Sequence, residues 1–308
     1  MTDICVLSGG TGTPKLLRGL KYVLNDFFVI VNTSDDIWLS NLKICPDIDS
    51  VIYALSDLID TEKWWGIKND SFRTHHMLRK LGIDEFMKIG DLDRAIHTFR
   101  TLMLKKGFNL TEITRILARK LGAEFEILPM CDEEVFTQII TPEGSLHFQE
   151  FWIKLKGMPD VLDVNFKGIE RAKLNSYTKN LLSACQTIII GPSNPITSIM
   201  PIISVKGMKK FLQKKFVIAI SPIVGKKPVS GPAAKFMKAK GFDVSPLGIL
   251  EVYSDFLDIL IVDSSDKNLE GHRNGIRIIS RPILIKKRND ALQLSIYIRK
   301  LIQKLIRS

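Results

Sequence analysis

The chain has 308 residues, of which 45% are hydrophobic, and it carries a formal net charge of +11 at pH 7. This apolar content can bury one large core or two smaller ones, and it excludes an intrinsically disordered protein. No segment reaches the roughly 18 consecutive apolar residues that cross a bilayer. Residues 1–7 lack the basic start and long apolar core of a signal peptide. We therefore expect a cytoplasmic protein that does not bind membranes.

The first 31 residues predict a strand, a glycine loop, a helix and a second strand. Residues 4–7 and 27–31 are short apolar runs of strand composition, and apolar residues recur at helical spacing between them. The intervening loop is Ser8-Gly9-Gly10-Thr11-Gly12. Thr13 is a good helix N-cap and Pro14 a good first helical residue. Together these segments predict a βαβ unit with parallel strands.

The rest of the chain predicts a doubly wound sheet. Residues 50–122 have a mainly helical apolar pattern, typical of an insertion. Two alternating runs, 137–141 and 145–151, indicate a β-hairpin. Further buried strands are predicted at 125–128, 187–190, 216–220 and 259–262, and the basic amphipathic tail, 292–306, predicts a helix on the sheet, with contact to a membrane surface as a minor alternative. We predict a single Rossmann-like α/β domain, residues 1–308, with a mostly parallel sheet.

The composition of the chain restricts the classes of partner and metal ion that we expect. Lysines are spread over the sequence, with the densest groups at 209–215, 226–240 and 286–300 and no recognised nucleic-acid module. A general basic surface, or steering of a small anionic substrate, explains this better than specific nucleic-acid binding. The four cysteines have no CxxC spacing, and the five histidines form no HExxH motif, so any metal should be a hard cation held by oxygen ligands. We expect magnesium.

Loops that follow the strands of such a sheet are the candidate ligand sites. Glycines let the backbone approach a phosphate, and the start of a helix adds N–H donors. Lysines and neutral polar side chains can add further contacts to the phosphate. The predicted nucleotide- and phosphate-binding residues are Ser8, Gly9, Gly10, Thr11, Gly12, Lys15, Ser193, Asn194, Ser198 and Lys226. Tight turns and surface lysines are the structural alternatives.

The glycine loop does not have the spacing of a dinucleotide fingerprint. Lys15 stands at the third glycine position of GxGxxG, and no GxxxxGK[ST] motif occurs. Both observations disfavour a nicotinamide oxidoreductase and a P-loop enzyme. The oxidoreductase stays an alternative, because Asp35 lies near the position of the ribose-binding acid.

Carboxylates are concentrated between residues 32 and 50. Asp47 and Asp49 would point to the same side of an extended stretch, where they could share a magnesium ion or orient a hydroxyl group. Helix capping by Asp49 is the alternative. We predict Asp47 and Asp49 as the catalytic and metal-binding residues.

Seven segments, taken in order, resemble the 2-phospho-L-lactate transferase family. They are SGGTGTPKLL at 8–17, PDID at 46–49, WWGI at 64–67, LPM at 128–130, HFQEFW at 147–152, GPSNPITSI at 191–199 and PVSGPA at 228–233. Each segment alone is a weak indication, and seven in register are specific. Residues 268–281 and 286–288 match no motif of this family.

This resemblance implies an enzyme of coenzyme F-420 biosynthesis, as found in methanogenic archaea. Such enzymes transfer a 2-phospholactyl group, or a related phospho-three-carbon acid, from a guanosine diphosphate-linked donor to the ribityl hydroxyl of the deazaflavin FO. GMP is released with the help of magnesium. The resemblance further implies that Asp49 and Lys88 bind the deazaflavin, and we predict Trp65 as a wall for its flat ring.

One non-catalytic alternative belongs to the same superfamily. Its regulatory members bind sugar nucleotides and keep the GGTG loop without a transfer reaction. The PDID, WWGI and HFQEFW segments favour the transferase. We expect small molecules as partners, and a homodimer is left open.

Overall fold

A computed structural model describes residues 3–306, so the predicted domain, 1–308, extends two residues beyond each end of the description. Its strands are β1 (Ile4–Ser8), β2 (Phe28–Val31), β3 (Ile37–Leu39), β4 (Leu42–Ile44), β5 (Glu126–Pro129), β6 (Phe136–Thr141), β7 (Gly144–His147), β8 (Asp163–Lys167), β9 (Thr187–Ile190), β10 (Phe216–Ile220), β11 (Ile223–Val224), β12 (Lys227–Pro228), β13 (Ile259–Val262), β14 (Gly271–Arg273) and β15 (Ile276–Ser280). Its α-helices are α1 (Gly12–Leu20), α2 (Pro46–Leu55), α3 (Arg73–Lys80), α4 (Asp91–Lys105), α5 (Leu110–Lys120), α6 (Ser176–Ala184), α7 (Met200–Ser204), α8 (Met208–Leu212), α9 (Ala233–Ala239), α10 (Pro246–Val252) and α11 (Arg288–Ile306). Shorter helical turns lie at Glu150–Lys154, Pro195–Ile199 and Ser264–Leu269.

Within residues 3–306 the main sheet has eight strands, in the order β14-β15-β13-β10-β9-β1-β2-β5. Its pairs are parallel except β14–β15, which is antiparallel. Alternate residues of β1 pack into different cores, Cys5 and Leu7 into one and Val6 into the other. Both faces are therefore buried, as a parallel sheet between helical layers requires. The predicted doubly wound, mostly parallel sheet is confirmed.

The strand order reverses between β1 and β9. The chain builds β1, β2 and β5 toward one edge and returns to build β9, β10 and β13 toward the other. Loops after β1 and β9 therefore leave the sheet on either side of a crevice at the carboxyl ends of the strands. This topological switch point positions the candidate site.

Several predicted elements change at their ends. Helix α1 begins at Gly12 with Thr11 as its cap residue, so the predicted cap, Thr13, lies inside the helix. The predicted hairpin is confirmed as β6 and β7, with β8 added on the other side of β6. The second strand ends at His147, and the residues predicted to continue it begin a helical turn.

Helices cover the sheet where the sequence predicted them. Helices α2 to α5 lie between residues 46 and 120. Helix α11 packs on α1 so closely that a Cβ at Gly19 would lie 2.3 Å from the carbonyl oxygen of Ala291. Among the described residues, no helix is both long enough and apolar enough to cross a membrane.

Candidate active site

A cavity of about 570 Å³ lies at the switch point of the sheet. The loops after β1 and β9, the start of α2 and the segments 86–89, 148–153 and 230–233 contribute to its lining. The predicted site residues that line it are Gly9, Gly10, Thr11, Gly12, Asp47, Asp49, Trp65, Lys88, Ser193, Asn194 and Ser198. The fold thus brings together residues up to 189 positions apart in sequence.

The glycine loop and the loop after β9 are packed directly against each other. A Cβ at Gly12 would lie 2.0 Å from the carbonyl oxygen of Pro192, and one at Gly191 would lie 2.0 Å from Thr13 Oγ1. The Ser193 hydroxyl group lies 2.5 Å from Thr13 Oγ1 and donates to the carbonyl oxygen of Gly9. Only glycine permits this approach. Ser193 therefore joins the two loops, and its proton is not directed at a ligand.

The start of α1 is a feature of the cavity that suits an anion. Its first turn contains no acidic side chain, and the first N–H groups of a helix have no partner within the helix. On the neighbouring loop, Asn194 Oδ1 accepts from the amides of Ile196 at 3.0 Å and Thr197 at 3.3 Å. Asn194 caps that turn, so backbone amides are the main donors offered to a phosphate.

Three predicted phosphate-binding residues lie outside the described cavity lining. Ser8 is fully buried at the end of β1. Lys15 points to another face of α1, where its Nζ atom lies 4.9 Å from the centre of the Trp64 ring. Lys226 lies in the turn between β11 and β12. The geometry does not support direct contact between these side chains and a ligand in this cavity.

Asp47 and Asp49 do not point to the same side, so that expectation was wrong. Pro46 is the first residue of α2, and the two carboxylates belong to its first turn rather than to an extended stretch. Residues i and i+2 of a helix are separated by about 200° around its axis. Asp47 accepts from Asn32 Nδ2 at 3.0 Å, whereas Asp49 pairs with Arg100.

Asp47 lies beside a second buried carboxylate, Asp35. Burial raises the pKa of Asp47 to about 6, against hydrogen bonds from the Gly10 amide and Asn32. Burial and the negative charge of Asp47 raise the pKa of Asp35 well above its ordinary value. Asp35 Oδ1 is buried and has no hydrogen-bond partner in the described part of the chain. Two such groups form an acceptor-rich corner next to the glycine loop.

The β6–β7 hairpin fixes the backbone of this acidic corner. Gln149 Nε2 donates to the carbonyl oxygen of Asp35 at 3.0 Å, and His147 Nε2 lies 3.1 Å from that of Asp36. The amide of Gln149 donates to His147 Nδ1, which leaves the ring proton on Nε2. The HFQEFW segment therefore holds the backbone of Asp35 and Asp36 in place.

Arg100 determines the orientation of Asp49. It is fully buried, and its guanidinium group donates to Asp49 Oδ1, to the Lys43 carbonyl oxygen at 3.2 Å and to His97 Nδ1 at 3.2 Å. Burial raises the pKa of Asp49, and the charge of Arg100 opposes this shift. Asp49 Oδ2 is buried without a hydrogen-bond partner among residues 3–306. His97 Nδ1 lies 3.5 Å from this oxygen, and Asp49 lines the cavity.

His97 extends this network along α4, where it and Asp93 also line the cavity. Because a guanidinium group has no lone pair, His97 Nδ1 must accept from Arg100, which places the ring proton on Nε2. His97 Nε2 lies 3.5 Å from Asp93 Oδ1, which also accepts from the Tyr53 hydroxyl at 2.6 Å. The result is a continuous chain of polar groups that runs from Asp49 through Arg100, His97 and Asp93 to Tyr53.

The sequence analysis missed this network. Asp93, His97 and Arg100 lie at positions i, i+4 and i+7 of α4, and so on one face of the helix. The spacing of these three polar residues on one face of a predicted helix was the available signal. Their partner Asp49 is 51 positions from Arg100, a pairing that spacing alone does not give.

Aromatic and basic side chains also line the cavity. Trp65 is 39% exposed, and its ring meets that of Phe72 edge-on at 6.3 Å. Lys63 Nζ lies 5.3 Å from the Trp65 ring centre, and Lys88 Nζ lies 4.2 Å from that of Phe72. Trp152, 36% exposed, also lines the cavity. These side chains can receive a flat ring with an anionic or polar edge.

Comparison with known proteins gives matches to one protein family. The family described as "2-phospho-L-lactate transferase CofD" matches residues 4–294. Relatives named 2-phospho-L-lactate transferase include one from Methanococcoides burtonii, 47% identical over 94% of this chain and 96% of its own length. Another, from Methanosarcina barkeri, is 51% identical over 85% of both chains. A third, from Methanopyrus kandleri, is 41% identical over 98% of both.

A solved structure supports the fold alone. A UPF0052 family protein from Bacillus halodurans matches with a TM-score of 0.65 and covers 97% of this chain and 99% of its own. Its sequence identity is 16%. The likeness therefore concerns the arrangement of strands and helices and not the chemistry.

Proposed function

This chain belongs to the 2-phospho-L-lactate transferase family, and we propose that its donor is guanosine diphosphate-linked 2-phospholactate or a related phospho-three-carbon acid. The acceptor is the ribityl hydroxyl group of the deazaflavin FO, and the second product is GMP. One observation carries this proposal: Asp47 and Asp49 leave the first turn of α2 in different directions. They divide the cavity between two substrates.

The donor occupies the side of Asp47. There the glycine loop, the start of α1 and the loop after β9 offer backbone amides, which suit the oxygens of a diphosphate. Lysine side chains contribute less, since Lys15 and Lys226 lie outside the lining. The role of the donor loops is to bind and orient the diphosphate.

Magnesium fits the acidic corner of the donor side. Asp35 and Asp47 are adjacent buried carboxylates, and Asp35 Oδ1 lacks a hydrogen-bond partner in the described chain. Asp49 is less suited, because Arg100 already neutralises it, although Asp49, Asp93 and His97 offer ligand atoms within 4.8 Å of one another. Asp47 would thus hold the ion with Asp35 rather than with Asp49. Bound magnesium would neutralise charge on the diphosphate.

The acceptor occupies the side of Asp49. Asp49 Oδ2, which lacks a hydrogen-bond partner in the described chain, accepts a hydrogen bond from the acceptor hydroxyl group, and Lys88 and Trp65 contact the deazaflavin ring. The hydroxyl oxygen attacks the phosphorus that bears lactate, the bond from that phosphorus to the bridging oxygen breaks, and GMP leaves. The hydroxyl proton passes to Asp49. The network of Arg100 and His97 keeps this carboxylate oriented.

Incubation with FO, magnesium and candidate guanosine diphosphate-linked donors, followed by mass analysis, tests the proposal. We expect the F-420 precursor and GMP in equal amounts. Asp49→Asn should lower kcat at least ~100-fold with an unchanged KM for the donor, whereas the control Asp57→Asn, at an exposed carboxylate, should not. Absence of precursor with every donor would refute the proposed substrates. Thermal stabilisation by UDP-sugars instead of FO would indicate the regulatory alternative.

A further inference from the structure

Lys235, in the first turn of α9, has an unusual environment for a lysine. Its Nζ atom lies 2.8 Å from the carbonyl oxygen of Gly157, 2.8 Å from that of Met158 and 2.9 Å from that of Pro159. An ammonium group has three N–H donors, and these three acceptors use all of them. Lys235 is therefore committed to the backbone of another segment and is not a free cation for a diphosphate.

The segment that Lys235 binds supports Trp152. Gly157 follows the helical turn Glu150–Lys154 in a left-handed conformation, with φ of +63°, and its amide donates to the Phe151 carbonyl oxygen at 2.8 Å. A Cβ at Gly157 would lie 3.0 Å from two carbons of the Trp152 ring. The indole thus rests on the backbone of the glycine whose carbonyl group Lys235 holds.

Lys235 also connects two walls of the cavity. Residues 230–233, just before it, and Trp152 both line the cavity. The rings of Phe151 and Phe236, the neighbours of Trp152 and Lys235 in sequence, lie 5.5 Å apart. Because Trp152 is 36% exposed, cavity walls alone do not fix its ring, and the backbone beneath it becomes the main determinant of its position.

The same helix supplies a matched control. Lys240 Nζ lies 2.8 Å from Asp163 Oδ1 and attaches the far end of α9 to β8. This ion pair joins the same two parts of the fold but does not contact the segment 157–159. Loss of Lys240 therefore weakens the attachment of α9 without removing support from Trp152.

We propose that Lys235 is a positioning residue that holds Trp152 as a wall for the flat ring of the acceptor. The identity of that ring rests on the proposed function. The coupling between Lys235 and Trp152 rests on the packing alone. Lys235 binds no substrate atom, and its effect on the reaction passes through the indole.

Steady-state kinetics of variants test the catalytic part. Trp152→Leu should raise the KM for the acceptor about tenfold, as loss of a stacking partner does, with kcat and the donor KM nearly unchanged. Lys235→Met should raise the same KM roughly fivefold, and the double variant should be no worse than Trp152→Leu alone. Lys240→Met should stay within about twofold of the wild type. Multiplying effects in the double variant, or equal effects of the two lysine variants, would overturn the proposal.

A measurement without substrates tests the packing even if FO is not the acceptor. The fluorescence of Trp152 is obtained by subtracting the spectrum of a Trp152→Phe counterpart from that of each protein. Lys235→Met should shift this emission to longer wavelength, and Lys240→Met should leave it unchanged. Lys235→Arg is the second variant if Lys235→Met melts too early, since a planar guanidinium group cannot direct three N–H bonds to these carbonyl oxygens. Unchanged Trp152 emission in both Lys235 variants would refute the positioning role.

Discussion

Replacement of Arg100 by methionine tests whether Asp49 is ionised and oriented by this one cation. Methionine keeps most of the side-chain volume and removes the charge. Arg100 is fully buried and Asp49 is 3% exposed, so the remaining carboxylate would stay buried without the guanidinium group that pairs with it. Removing one member of a buried ion pair costs about 3–5 kcal/mol. We expect a loss of about 3 kcal/mol in the free energy of unfolding at pH 8.

The free energy of unfolding that Arg100→Met loses should increase with pH. Burial already raises the pKa of Asp49 in the folded protein, and removal of the opposing Arg100 charge raises it further. A carboxyl group with a raised folded pKa favours the folded state when protonated, and this contribution is lost as the pH rises through that pKa. The variant should therefore lose less stability at pH 5 than at pH 8. Urea unfolding at both pH values measures the difference.

Two control variants test whether the loss of stability comes from the unpaired buried charge. The double variant Asp49→Asn/Arg100→Met should regain at least about 1 kcal/mol relative to additivity, because no buried charge is left unpaired, yet it should remain inactive. Arg115→Met breaks the pair with Glu126, in which both side chains are about a quarter exposed, and should cost roughly 1 kcal/mol or less. Additive losses at Asp49 and Arg100, or a loss that does not change with pH, would refute the reasoning.

Three further predictions concern the two halves of the cavity. Magnesium should raise the melting temperature more at pH 8 than at pH 5, since the pKa of Asp47 is raised to about 6 and a metal-binding carboxylate must be ionised; Asp47→Asn should abolish the difference in a thermal-shift titration. Gly12→Ala should weaken donor binding in calorimetry, because its Cβ would lie 2.0 Å from a carbonyl oxygen of the neighbouring loop. The control is Gly122→Ala, where the added Cβ has no neighbour within 4 Å and only the backbone φ of +82° is unfavourable. It should lower stability and leave donor binding unchanged. Equal donor affinities in the two variants would contradict the loop packing. Lys88→Met should raise the KM for the acceptor and leave the KM for the donor unchanged. An equal rise in the KM for the donor would contradict the assignment of Lys88 to the acceptor side of the cavity.

The sequence predicted the centre of the sheet better than its edges. Strands β9, β10 and β13 have the predicted bounds, since burial on both faces gives an uninterrupted apolar run. Strands β14 and β15 lie in the segment 268–281, which matched no motif. Each residue of β14 is exposed, so its pairing to β15 leaves no apolar pattern to detect.

The candidate site was predictable only as far as topology determines it. A glycine loop after the first strand and a loop after β9 must meet at the switch point of such a sheet. The divergence of Asp47 and Asp49 follows from a helix that starts at Pro46, and proline at that position was a readable signal. The pairing of Asp49 with Arg100 depends on tertiary packing between α2 and α4, which local patterns do not encode.

The first turn of α2 sets the geometry between the two half-sites. Every residue from Asp47 to Leu55 is buried, so the helix can neither rotate nor slide without disturbing the core. The separation of the two carboxylates is thus a property of rigid backbone rather than of two independently mobile loops. On the proposed function, a consequence for protein engineering follows: the acceptor side, contributed largely by the helical insertion, could be redesigned for a different alcohol without changing the backbone that separates Asp47 from Asp49.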